Sequence, residues 1–202
     1  MVSDRNATGV ETIWTIGHST RTLDAFLAVL AEYRIEAVAD VRRFPGSRRY
    51  PHFARDALSE TLPSHGIAYH WLPKLGGRRP VQPDSPNNAW RNTAFRGYAD
   101  YLASAEFAEG LDALLTLAGQ RRTALMCAEA VWWRCHRALI ADVLRVRGIE
   151  VIHIVDATHS IVHPYTSPAR IVEGRLTYAL ALEDHGSASS QLLNVGPELP
   201  QS

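Results

Sequence analysis

Short apolar segments alternate with segments of helical periodicity along most of this 202-residue chain. The apolar segments have the length and the flanking turn residues of buried strands. This alternation is typical of an open, mostly parallel α/β sheet of about five strands with helices on both faces. We therefore predict a single domain of that class. The predicted strands are Glu11–Ile16, Ile35–Val41, Ile67–Leu72, Thr123–Cys127 and Glu150–Val155.

Helices are predicted between these strands, and two of them carry clear capping residues. Ser19, Thr20 or Thr22 can cap the first helix, and Ser104 can cap the one that begins at Ala105. The predicted helices are Thr22–Tyr33, Arg55–His65, Ala94–Ala103, Ala105–Leu117 and a segment after Cys135 that ends at Gly148.

The irregular parts of the chain set the domain limits. Residues 78–92 are rich in proline and asparagine and exceed the usual length of a connection, which favours a lid or a mobile edge. A small hairpin is predicted at Glu173-Gly174. We expect residues 11–183 to form the domain and residues 1–10 and 184–202 to be flexible tails.

Composition excludes several classes of protein. Twenty-one basic residues balance 21 acidic ones, so no overall field draws the molecule to nucleic acid or to a membrane surface. No apolar stretch is long enough to span a bilayer, and the N-terminal residues lack a secretory signal. Two cysteines do not make a disulfide framework. We expect a cytoplasmic protein with reduced thiols, and the oligomeric state is not indicated.

The residues that suggest chemistry follow the predicted strands. Ligands of open parallel sheets bind at the carboxyl ends of the strands, near the switch in strand order. Cys127, Glu129 and His136 are the candidate catalytic residues. The candidate substrate-binding residues are His18, Ser19, Asp40, Arg42, Arg43, Ser47, Trp132, Arg134 and Arg137.

Cys127 is the candidate nucleophile, with Glu129 and His136 transferring protons. A thiol beside a helix N-terminus and arginines has a lowered pKa, although a buried structural cysteine is the alternative. Cys127, Cys135, His136 and His18 are an alternative set of transition-metal ligands, but the usual tight Cys-x-x-Cys pair is absent. No cofactor is required by the sequence. Arg137 is expected to bind a carboxylate, Glu129 or Asp40.

Arginines cluster between Arg42 and Arg55 and alternate with aromatic residues. Such a segment can bind phosphates and stack on a base, or it can be a solvated loop. The turn at residues 17–20 is a candidate anion cradle. These features predict an enzyme acting on a small anionic substrate, with nucleotides and nucleic-acid derivatives as candidate classes. The alternatives are a non-enzymatic, repair-associated nucleic-acid-binding module and a Cys/His metal-binding protein.

Several short motifs together resemble one known family. They are Thr15-Ile16-Gly17-His18-Ser19, Asp40-Val41-Arg42 with Pro45 and Ser47, Leu75-Gly76-Gly77, Met126-Cys127-Ala128-Glu129 and Cys135-His136-Arg137. In this order they resemble the domain-of-unknown-function 488 family, from about Ile13 to Val155. The resemblance implies an α/β domain in a bacterial or archaeal cytoplasm, and it implies no reaction.

Overall fold

The computed structural model describes residues 9–46 and 48–180. In these ranges one sheet consists of β1 (Thr12–Gly17), β2 (Ala37–Asp40), β3 (Ala68–Trp71), β4 (Thr123–Cys127), β5 (Glu150–Ile154) and β6 (Ser160–Val162). Their spatial order is β3-β2-β4-β1-β5-β6. The first five strands are parallel, and β6 pairs antiparallel with β5. The predicted open, mostly parallel sheet is confirmed, with an antiparallel edge strand added.

The helices lie within a few residues of their predicted positions. They are α1 (Leu23–Glu32), α2 (Arg55–Ser64), α3 (Thr93–Tyr101), α4 (Ala105–Ala118) and α5 (Arg137–Val146). The Thr22 and Ser104 hydroxyls accept backbone N–H bonds at the starts of α1 and α4, as helix caps do. A separate hairpin joins β7 (Arg170–Val172) to β8 (Arg175–Thr177) at the predicted turn. None of the helices in the described ranges is long and apolar enough to cross a bilayer.

Helices cover both faces of the sheet because successive strand residues point to opposite faces. On one face, Leu125 and Cys127 pack with the apolar sides of α4 and α5. On the other, Ala124 and Met126 pack with α1 and α2, where Phe26 is fully buried. The same alternation places the polar residues at the strand ends on two different faces of the sheet. The candidate site therefore has one polar group on each face.

The chain order brings three strand ends together. The chain passes from β1 to β2 across the position that β4 later fills, so β4 lies between them. In this register Gly17 lies opposite Cys127, and Asp40 lies opposite Met126. The loops that leave β1, β2 and β4 are therefore neighbours at one edge of the sheet.

Hydrogen bonds attach the long loop at residues 78–92 to α3, contrary to the expectation of a lid or mobile edge. Asp100 on α3 accepts hydrogen bonds from the backbone N–H of Gln82 and from the side chains of Ser85 and Asn87. These contacts fix the middle of the loop, since a carboxylate with three donors anchors the backbone that carries them. Val10 is buried, so packing begins before the predicted domain start at residue 11. Residues 1–8 of the expected N-terminal tail and the whole expected C-terminal tail, residues 184–202, lie outside the described residues.

Candidate functional site

Backbone hydrogen bonds join the loop after β1 to the loop after β4 at the centre of the sheet edge. The backbone N–H groups of His18 and Ser19 donate to the carbonyls of Cys127 and Ala128, at 2.9 and 3.0 Å. A Cβ added to Gly17 would lie 2.0 Å from the Glu129 carbonyl oxygen, so only glycine permits this approach. The turn at residues 17–20 is therefore not the expected anion cradle, because two of its amides are already bonded. Helix α1 begins later, after its cap at Thr22.

Asp40 and Arg42 form a buried ion pair beside this junction. Asp40 is fully buried, and its carboxylate accepts from Arg42 Nε at 2.8 Å and Arg42 Nη2 at 2.6 Å. It also accepts from the Tyr69 hydroxyl at 2.7 Å. The bidentate geometry and the third donor hold the Arg42 side chain in one orientation. Asp40 thus positions Arg42 and does not itself reach a ligand.

His18 completes this group as a neutral imidazole. Its Nδ1 lies 3.0 Å from the Ser19 carbonyl, which can only accept, so Nδ1 carries the proton. Its Nε2 then accepts from Arg42 Nη1 at 3.2 Å. The ring stacks on Phe53 with centroids 4.2 Å apart. Burial, and then the charge of Arg42, lower the pKa of His18 to about 4.

The two cysteines meet on the opposite face of the sheet edge. Both are buried, free thiols, and the two sulfurs and His136 Nδ1 all lie within 4.8 Å of one another. A hydrogen bond with Cys135, and then burial, raises the pKa of Cys127 well above its usual value. Burial also disfavours a charged Cys135. The Cys127 hydrogen bond and the charges of His136 and Arg137 outweigh burial, so the pKa of Cys135 falls well below its usual value.

His136 links the cysteine pair to β2. Its Nε2 lies 3.1 Å from the Val41 carbonyl and therefore carries a proton. Its Nδ1 faces Cys135 Sγ at 3.6 Å. Gly77 packs against the ring, since a Cβ there would lie 2.9 Å from Nδ1. The result is a cysteine–histidine pair with a fixed ring orientation.

Arg137 lies behind Cys135 and is 1% exposed. Its Nε donates to Cys135 Sγ at 3.4 Å, its Nη1 donates to the Thr15 hydroxyl at 3.3 Å, and its Nη2 donates to the Glu129 carbonyl. The expected carboxylate partner, Glu129 or Asp40, is wrong: Glu129 offers its backbone, and Asp40 lies on the other face with Arg42. The guanidinium instead faces a sulfur.

A cavity of about 520 Å³ opens above the cysteine pair. We call it the cysteine cavity. Its walls include Arg42, Arg43, Arg78, Tyr98, Cys127, Glu129, Arg134, Cys135 and His136. A second cavity of about 370 Å³, the histidine cavity, adjoins it. Its walls include His18, Ser19, Arg42, Arg49, Tyr50 and Glu129. Arg42 and Glu129 line both cavities, so the two faces of the edge share one rim.

Most of the sequence-predicted residues meet at this rim, and four do not. Asp40 is fully buried beneath Arg42 and lines neither cavity. Arg137 is buried behind Cys135. Trp132 is half-buried, with its ring stacked on His153 at 4.2 Å, and it does not line the cysteine cavity. Ser47 lies outside the described residues. The sequence motifs did not indicate Cys135 as the more acidic thiol, although His136 directly beside it was an available signal.

A model of the family described as "Domain of unknown function DUF488" matches residues 22–144, more than half of the chain. The matched segment contains Asp40, the whole cysteine pair and Arg137, and it begins just after the turn at residues 17–20. The resemblance noted in the sequence motifs is thereby confirmed. No curated protein and no solved structure matches the chain.

Proposed function

This chain belongs to the family called domain of unknown function DUF488, whose name assigns no reaction, and we propose that it is a thiol-dependent enzyme acting on an anionic substrate. The observation that carries the proposal is the position of Cys135. Its sulfur contacts His136 and a buried guanidinium at the floor of a cavity lined by further arginines. A low-pKa thiol at the floor of a cavity is the arrangement that nucleophilic cysteines use.

The geometry favours Cys135 over Cys127 as the reacting sulfur. Arg137 and His136 both direct nitrogen atoms at Cys135. Cys127 receives a backbone N–H from Glu129 and donates its proton toward Cys135. We assign Cys135 as the nucleophile and Cys127 as the hydrogen-bond donor that stabilises its thiolate. His136 then transfers protons, as expected, and Glu129 at the rim is placed to serve a substrate group.

The walls of the cysteine cavity favour an anion. Arg43 and Arg134 are exposed at its mouth, and Arg78 lies beside them. Arg42 and Arg137 carry two further charges below the surface. Guanidinium groups bind carboxylates and phosphates in a bidentate way. Arg43 also lies 5.5 Å from the exposed Phe44 ring, which provides a stacking surface for a base. A nucleotide or a nucleic-acid end is therefore our candidate substrate class, and the cytoplasm our proposed location.

Alkylation kinetics test the assignment without knowledge of the substrate. Iodoacetamide should modify Cys135 near neutral pH faster than Cys127, with mass spectrometry of peptides separating the two sites. Cys135→Ser should abolish this fast phase, and Cys127→Ser should slow it by raising the pKa of Cys135. Adenosine monophosphate should protect Cys135, and Arg43→Ala should weaken the protection. An ordinary, unprotected thiol at Cys135 would contradict the proposal.

Metal binding is a second candidate function, and it would use the two cysteines and His136. Cys127, Cys135 and His136 offer two sulfurs and a nitrogen within 4.8 Å, the ligand set of a Cys₂His zinc site with a fourth position open to the cavity. Each donor has a partner on its other side: the Glu129 amide, the Arg137 guanidinium and the Val41 carbonyl. Such outer contacts orient metal ligands.

Metal analysis separates the two candidates. Protein purified without an affinity tag would contain about one equivalent of zinc, and Co²⁺ substitution would give a thiolate charge-transfer absorption that Cys127→Ser weakens. Metal-free protein that retains the fast alkylation of Cys135 would exclude the metal site, since a bound thiolate reacts slowly.

A non-enzymatic nucleic-acid-binding module is the remaining alternative. The Arg49 guanidinium lies 5.6 Å from the centre of the Tyr50 ring, and both residues line the histidine cavity. The Arg55 guanidinium lies 5.0 Å from the centre of the Trp71 ring. Binding of a single-stranded oligonucleotide should then weaken steeply with salt and with Arg49→Ala. Binding that is absent or independent of salt would remove this alternative.

A further inference from the structure

The cysteine cavity and the histidine cavity share one wall. Five residues line both cavities: Arg42, Phe44, Gly46, Ala128 and Glu129. The cavity volumes, about 520 and 370 Å³, both lie in the usual range for small-ligand pockets. A ligand that lies across this wall can therefore occupy both cavities at once.

Arg42 is the cation of the shared wall, and its contacts hold it in one position. The residue is only 6% exposed. Its Nε and Nη2 donate to Asp40, and its Nη1 donates to His18 Nε2. The Tyr69 hydroxyl also contacts the guanidinium. A guanidinium has five N–H groups, and these contacts use at most four of them, so a fixed donor remains for a ligand at the wall.

Each cavity also has an arginine beside an aromatic ring. In the cysteine cavity the Arg43 guanidinium lies 5.5 Å from the centre of the Phe44 ring, and Phe44 is 65% exposed. In the histidine cavity the Arg49 guanidinium lies 5.6 Å from the centre of the Tyr50 ring. Arginines bind phosphates and aromatic rings stack on bases, so each combination is suited to one nucleotide. Arg42 lies on the wall between the two combinations.

The walls of the two cavities carry an excess of positive charge. Glu129 is the one carboxylate among the described residues that line them, and Asp40 lies buried beneath Arg42. Five arginines against these two carboxylates leave an excess of three positive charges: Arg42, Arg43, Arg49, Arg78 and Arg134. Because the arginines are distributed over both cavities, the walls favour a ligand with more than one phosphate position along its length.

We propose that the two cavities together bind two consecutive nucleotides of a single strand, with the phosphodiester between them on Arg42. This inference rests on the proposed function, because it names the substrate class of the same site. Phosphate and base alternate along an unpaired strand, as arginine and aromatic ring alternate along the two cavities. A duplex does not fit, since its bases stack on one another and are not available to Phe44 or Tyr50.

Glu129 provides the hydrogen-bond acceptor of the shared wall. A phosphate is repelled by its carboxylate, whereas a sugar hydroxyl or a base amino group can donate to it. The phosphodiester therefore lies toward Arg42, and a neutral donor of the ligand lies toward Glu129. RNA and DNA share the phosphodiester, and the 2′-hydroxyl is the donor that distinguishes them.

Calorimetric titration of the full chain tests the inference with four probes. They are adenosine monophosphate, the dinucleoside monophosphates ApA and d(ApA), and ApA with an uncharged methylphosphonate link. We expect ApA or d(ApA) to bind at least about tenfold more tightly than adenosine monophosphate, because a second base stacks, although adenosine monophosphate carries more negative charge. The methylphosphonate link should weaken ApA binding by about tenfold, because it removes the charge that Arg42 faces. The stronger of ApA and d(ApA) identifies the strand, and equal affinities mean that both strands are accepted.

Arg49→Ala tests the contribution of the histidine cavity. It removes an exposed arginine that does not line the cysteine cavity, so it should weaken ApA binding by about threefold and leave adenosine monophosphate, the smaller probe, unaffected. Arg147→Ala is the matched control, because it makes the same replacement at an exposed arginine that lines neither cavity. Both affinities should then stay at the wild-type values. Arg42 is kept intact, since its loss would leave Asp40 buried without a charge partner.

Alkylation of Cys135, measured on the same protein, separates failure of this inference from failure of the proposed function. Fast alkylation without tighter binding of either dinucleotide would overturn the two-nucleotide site and leave the thiol-dependent enzyme standing. A methylphosphonate link that binds as well as the natural one would also overturn the site. Tight dinucleotide binding beside an ordinary thiol would keep the site and overturn the enzyme. An ordinary thiol with no binding of any probe would overturn both.

Discussion

Acid should destabilise this protein partly through His18, whose imidazole is held neutral. Its Nδ1–H donates to the Ser19 carbonyl, and its Nε2 accepts from Arg42. A second ring proton would break the bond from Arg42 and place two cations side by side. Burial, and then the Arg42 charge, lower the pKa of His18 from 6.5 to about 4. In the unfolded chain the pKa returns to about 6.5.

The free energy of unfolding falls with decreasing pH because the unfolded chain binds the His18 proton at a higher pH than the folded chain does. Between pH 6.5 and pH 4 the unfolded chain is protonated at His18 and the folded chain is not. The contribution is complete above about pH 6.5 and is lost as the pH falls toward 4. The free energy of unfolding then decreases by about 1.4 kcal/mol per pH unit, or about 3 kcal/mol in all. His153, whose pKa is lowered to about 2, adds a parallel slope over the same window.

Urea unfolding between pH 4.5 and pH 7 measures this slope. His18→Gln keeps an acceptor for Arg42 and removes the titrating ring, so its slope should be smaller than the wild-type slope by about 1.4 kcal/mol per pH unit, which is one proton. His65→Gln is the matched control, because it makes the same replacement at an exposed histidine. Equal slopes in His18→Gln and the wild type would refute the assignment of a neutral, buried His18.

Three further substitutions test the junction at the sheet edge. Asp40→Asn should lower the free energy of unfolding by about 3–5 kcal/mol, because it leaves the buried Arg42 without its charge partner. Tyr69→Phe removes a single hydrogen bond from the same carboxylate and should cost about 1 kcal/mol, so equal losses in urea unfolding would contradict a central ion pair. Gly17→Ala should cost about 1–3 kcal/mol and speed alkylation of the cysteines, since its methyl group would push the Glu129 carbonyl aside. Wild-type stability in this variant would show that the two loops are not in tight contact.

The fold was predictable because its signals are local. Short, continuous apolar segments mark the central strands, and caps such as Thr22 and Ser104 mark the helix starts. A parallel sheet then places every strand end at the same edge. Cys127, Arg42 and His18 could therefore be placed near one another from sequence, since each follows a strand of that sheet.

The sequence did not reveal which of these residues lie on which face of the sheet. Asp40 points toward α1 and α2, and Cys127 points toward α4 and α5, because side chains alternate along a strand and the strand order decides which residues are neighbours. The edge thus carries a histidine–arginine group on one face and a cysteine–histidine pair on the other. Both groups are within reach of the shared rim at Glu129.

The sequence by itself determined the class of fold, the edge where the polar residues collect and the family. The tertiary structure decided which thiol is acidic and what Arg137 contacts. Arg137, Thr15, His153 and Asp142 are separated by up to 138 positions of sequence, and no local pattern connects them. They become neighbours because β5 pairs with β1 and α5 packs over both. The lowered pKa of Cys135 in turn depends on the Cys127 hydrogen bond and on the charges of His136 and Arg137, which the fold places around the sulfur.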